Sequence, residues 1–112
     1  MKYILILALM ISFAAGLLAH PASNVTLSYD AKTQLLTLGF EHSVKNPADH
    51  FISGVAIKVG GKEVISQSLN LQEKAVGGTL VYKLIDLKEG TVVEAITECN
   101  KVGKKSAKLT IK

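Results

Sequence analysis

Apolar residues recur at every second position through most of the chain beyond residue 24, with polar residues between them. Val25, Leu27 and Tyr29 alternate with Thr26 and Ser28, and "DAKT" (30–33) then turns the chain. Leu36, Leu38 and Phe40 repeat the pattern, and His42 keeps their parity. A period of two is the mark of a half-buried strand, because successive side chains leave a strand on opposite faces. "FISGVAIKV" (51–59) and "EVISQSLNL" (63–71) predict a hairpin closed by the tight turn "GGK" (60–62). After a loop around "EKAVGG" (73–78), "TLVYKLIDL" (79–87) sets Leu80, Tyr82 and Leu84 on one face. "KEG" (88–90) turns into "TVVEAITEC" (91–99), where Val93, Ala95, Thr97 and Cys99 lie opposite Glu94 and Glu98. "NKVGKK" (100–105) leads to a last strand that turns Ala107, Leu109 and Ile111 inward.

These elements amount to about seven short strands with frequent turns and no helix, which predicts an all-β immunoglobulin-like sandwich. A small barrel is the alternative. With one cysteine and no tryptophan, the chain lacks the disulfide and core indole of an antibody-type domain.

The first residues follow another pattern. Lys2 gives a positive start, an apolar run extends from Ile4 to Leu18, and Ala19 offers a small residue before polar sequence begins. This reads as a signal peptide over 1–19, leaving a domain of residues 20–112 that is periplasmic or secreted. A membrane anchor is the alternative, but the run is short for a full span, so no stable membrane insertion is expected after cleavage. Loss of Lys2 reduces the 13 basic residues to 12, all lysine, against 9 carboxylates. Scattered lysines without arginine suit a solvated surface and argue against nucleic acid, which favours clustered arginine and stacking aromatics. A single cysteine also rules out a disulfide within the chain.

The candidate chemistry rests on His20, His42, His50 and Cys99, which are all the histidines and the one cysteine of the chain. Each falls at a predicted strand end or turn. His42 and Cys99 also continue inward-facing sets, which carries them to the rim of the sandwich, where rigid strands meet solvent. Imidazole with thiolate suits iron, copper or zinc.

"HSVKNPADHFI" (42–52), followed by "ECNKVGKKSAKLTI" (98–111), resembles the iron-binding domain of the desulfoferrodoxin and superoxide reductase family. There, two histidines flank a proline-containing turn and a C-N-x-H-G turn follows near the C-terminus. The resemblance implies an immunoglobulin-like sandwich holding one non-haem iron through equatorial histidines and an axial cysteine. It further implies reduction of superoxide to hydrogen peroxide, with an external electron donor restoring the iron. Carried over residue by residue, His42 and His50 match the turn histidines, Cys99 the axial thiolate and His20 the first histidine. Asn100 and Gly103 keep the cysteine turn.

The departures are specific. Val102 stands where C-N-x-H-G has histidine, the 42–50 turn is two residues longer, and the Glu-Lys pair before the first histidine is absent from residues 20–112. Three histidines and a thiolate also satisfy tetrahedral zinc, so a non-catalytic copper- or zinc-binding or carrier protein is the alternative function. Cleavage after Ala19 would give His20 a free α-amine, able to chelate a metal together with its own ring. Lys45, between the turn histidines, and Lys101, beside Cys99, are placed to attract superoxide or another small anion. Asp49 is placed to orient the His50 ring.

Overall fold

The computed structural model describes residues 19–112, so nearly all of the segment read as a signal peptide lies outside the described residues. The domain has seven strands: β1 (Asn24–Asp30), β2 (Leu35–Glu41), β3 (Ile52–Val59), β4 (Lys62–Ser68), β5 (Gly77–Lys83), β6 (Val92–Cys99) and β7 (Lys104–Thr110). Two antiparallel sheets, ordered β1-β2-β5 and β4-β3-β6-β7, face each other in the expected immunoglobulin-like sandwich. Among the described residues no helix is long and apolar enough to cross a membrane.

The period-two pattern supplies the core directly. Leu36, Leu38 and Phe40 of β2 face Val93 and Ala95 of β6 and Val55 and Ile57 of β3, all buried in one cluster. Burying each of the larger aliphatic side chains contributes about 1.5–3 kcal/mol. Tyr82 Oη on β5 donates to Gln67 Oε1 on β4 at 2.7 Å and so ties one sheet to the other, while Tyr29 Oη on β1 donates to the Leu84 carbonyl just beyond β5 of its own sheet at 2.6 Å.

Several boundaries differ from the sequence reading. β4 ends at Ser68 rather than reaching Leu71, and β5 ends at Lys83, shortly before Asp86 takes a left-handed φ of 56°. Lys104 and Lys105, assigned to the last turn, belong to β7.

A further feature lies in β3. Ile52 and Val55 are both buried although they are three residues apart, which strict alternation forbids. The strand resolves this by a register shift against β6: Ile52 pairs with Cys99, but Gly54 pairs with Glu98. A bulge of this kind re-aims the residues around it, and here it lies beside Cys99.

Candidate metal centre

His42 continues the inward face of β2 one residue beyond the strand end and is fully buried. Its backbone N–H donates to the Val76 carbonyl at 2.9 Å, and Val44 N–H donates to Ala75 at 2.7 Å, which fastens the segment after β2 against the 69–76 loop. Pro47 then opens a single helical turn that Asn46 caps. The Asn46 side chain accepts Ala48 N–H at 3.0 Å, and its carbonyl accepts the N–H groups of Asp49 and His50 at 3.0 and 2.9 Å. Asparagine before proline is the expected chemistry for such a start, because Pro has no N–H to satisfy and its φ is preset. The turn returns His50 towards the rim immediately before β3.

Asn100 joins that loop to the turn after β6. Its side chain accepts Phe51 N–H at 2.9 Å and donates to the Asp49 carbonyl at 2.9 Å, while its backbone N–H donates to Phe51 O at 3.0 Å. Cys99 ends β6 at 5% exposure. Three contacts from one residue thus hold the 49–51 segment against the cysteine turn, and His50 Nε2 lies 3.1 Å from Cys99 Sγ. Lys101 N–H donates to the same sulfur at 3.4 Å.

His20 arrives from before β1. Pro21 packs on Gly103, whose φ of 92° and absent side chain make the contact possible: a Cβ there would stand 3.0 Å from the proline ring. His20 is thereby held over the cysteine turn. The three histidines offer ring nitrogens all within 4.8 Å of one another. Their ring centroids are 5.0 Å apart for His20 and His42, 5.2 Å for His20 and His50, and 4.8 Å for His42 and His50.

The structure thus gathers His20, His42, His50 and Cys99 at one end of the sandwich. Three imidazoles and a sulfur form a donor set that fits iron, zinc or copper. Burial, the neighbouring His42 and His20 rings and Lys101 together lower the pKa of His50, opposed by the His20 backbone carbonyl, which favours the protonated ring. That bias keeps the ring neutral, the form that ligates metal.

Other expectations find different positions. His20 Nδ1 donates to the Pro21 carbonyl at 2.9 Å. A chelate shared with the α-amine of a chain cleaved after Ala19 would need that same nitrogen; with His20 joined to Ala19 and Nδ1 so engaged, Nε2 is the ring nitrogen left free. Asp49 does not reach the His50 ring; its carboxylate lies 3.8 Å from Lys101 Nζ, an exposed pair. Lys45 and Lys101 line an open cleft of about 560 Å³ together with His20 and His50, and Asp49 borders it too. Val102 is half exposed and is not among the residues lining that cleft.

Gln72 is the participant that sequence reading passed over. It is 3% exposed and hydrogen-bonds to both the ring and the carbonyl of His42. A polar residue at the end of an irregular segment gives no periodic signal of burial.

No protein-family model matches the chain, and no curated protein matches it. Among the solved structures that match are two of superoxide reductase (neelaredoxin) from Ignicoccus hospitalis. The first is 18% identical over 81% of this chain and 80% of its own, with a TM-score of 0.56. The second is 19% identical over 80% and 78%, with a TM-score of 0.52. At this identity the likeness is one of fold.

Proposed function

We propose that this chain is an exported protein of the desulfoferrodoxin and superoxide reductase type. On this reading it binds one iron through His20, His42, His50 and Cys99 and reduces superoxide to hydrogen peroxide. The observation that carries the proposal is the convergence of all three histidines and the one cysteine from three separate segments, before β1, between β2 and β3 and at the end of β6, onto one rim. The fold likeness to superoxide reductase supports it independently.

Bound iron would supply the one electron that superoxide takes up, passing from the ferrous to the ferric state. The residues do the rest. The three rings would provide nitrogen donors, and the Cys99 sulfur, nearly excluded from water, would provide a strongly electron-releasing one. Lys45 and Lys101 give the mouth of the cleft a positive bias towards a small anion, partly offset by Asp49. Two protons from solvent would complete hydrogen peroxide, and an external one-electron donor would be needed for each turnover.

The stoichiometry of the reaction tests this. Iron-loaded protein, pre-reduced and mixed with superoxide, is expected to yield one peroxide per superoxide consumed and no dioxygen. One peroxide per two superoxides, with dioxygen, would mean dismutation. No consumption would leave the alternative that the same set of three imidazoles and one sulfur favours: a zinc- or copper-binding protein without this activity.

A further inference from the structure

Gln72 lies between β4 and β5, buried beneath the metal centre, and all four of its side-chain hydrogen-bonding positions are used. Its Nε2 donates to the carbonyls of His42 and Lys74, each at 2.8 Å. Carbonyls only accept, so these two contacts fix which end of the amide carries the hydrogens. Oε1 must then face the other way, where it accepts Ile52 N–H at 3.3 Å and meets His42 Nδ1 at 2.8 Å. An amide oxygen can only accept, so Nδ1 of His42 carries the proton.

The consequence falls on the far side of the ring. In a neutral imidazole protonated at Nδ1, Nε2 holds a bare lone pair. That nitrogen lies 3.1 Å from the His20 carbonyl oxygen, which is also only an acceptor. Two acceptors at this distance within a buried site repel unless a proton or a cation lies between them. A neutral ring can satisfy only one of the two acceptors it faces, and the shorter contact, to the Gln72 oxygen, takes the proton. Nε2 is then left with a free lone pair, as a ligand nitrogen needs.

We propose that Gln72 is a positioning residue: it clamps His42 by ring and backbone and holds it in the Nδ1–H tautomer, so that Nε2 is a preformed metal ligand. The value of the tautomer to metal rests on the iron-binding reading above; the tautomer itself does not.

The test is nitrogen-15 NMR of the histidines in the metal-free protein at alkaline pH, where imidazoles are neutral. His42 is expected to show a protonated Nδ1 and an unprotonated Nε2. Gln72→Leu should move the proton to Nε2, towards the His20 carbonyl, and weaken anaerobic ferrous iron binding about 10–100-fold. Gln72→Glu, which can still accept from Nδ1 but loses both donations to the His42 and Lys74 carbonyls, should keep the wild-type tautomer while its iron affinity falls part of the way towards that of Gln72→Leu. A wild-type His42 protonated at Nε2 would overturn the proposal without recourse to any variant. So would a Gln72→Leu protein that keeps both the tautomer and the iron affinity. A protein with the expected tautomer that takes up no ferrous iron would support the role of Gln72 and overturn the iron reading instead.

Discussion

His50 is the residue whose environment has the plainest consequence in solution. Its neighbours hold its pKa below the ordinary imidazole value, which is about 6.5. The unfolded chain therefore binds a proton that the folded, metal-free protein refuses. Stability is retained above pH of about 6.5 and is lost as the pH falls from there towards the depressed value. Urea midpoints of metal-free protein across that range should decline with acidity, and His50→Gln should flatten the decline. A midpoint that rises on acidification would contradict the ring's surroundings. At the cleft mouth, Lys45→Ala with Lys101→Ala should slow the second-order reaction with superoxide, up to about tenfold at low salt. The ionic-strength dependence should diminish with it, because both charges act through solvent over a distance that salt screens.

The turns between strands decide whether the four ligands meet. Gly103 holds a φ of 92° with Pro21 against it, so Gly103→Ala combines backbone strain with a steric clash. The expected cost is about 1–3 kcal/mol, read from chemical denaturation, with ferrous iron affinity reduced because His20 is displaced. Asn100→Ala removes two side-chain hydrogen bonds between the cysteine turn and the 49–51 segment. Each contributes about 0.5–1.5 kcal/mol, and the loss should loosen the 3.1 Å approach of His50 to Cys99. Full iron affinity in both variants would mean that the site does not depend on these turns. The strands were legible in the sequence because alternation reports burial directly, as with Leu36, Leu38, Phe40 and His42. The bulge between Ile52 and Gly54 was not, since it compares β3 with a partner that lies 44 residues away in the pairing of Gly54 with Glu98. Gln72 was hidden for a related reason: its burial comes from loops folded over it, and no local period marks it.

At the scale of the molecule, the centre joins the two sheets. His20 and His42 flank β1 and β2 of one sheet, whereas His50 and Cys99 flank β3 and β6 of the other. A bound metal would therefore clamp the sandwich at one end and stabilise only the folded chain. Ferrous iron should raise the melting temperature, a chelator should lower it again, and Cys99→Ser should blunt the response. The convergence of these residues was legible from their parity and from their positions at strand ends. What selects the metal was not, because it depends on how closely the donors approach one another and on what holds each ring. The most direct measurement is elemental analysis combined with the visible spectrum of protein beginning at His20, purified anaerobically and then oxidised. The account predicts one iron per chain and a sulfur-to-ferric charge-transfer band that vanishes in Cys99→Ser. Colourless protein carrying zinc, or a wild-type spectrum from the serine variant, would contradict it.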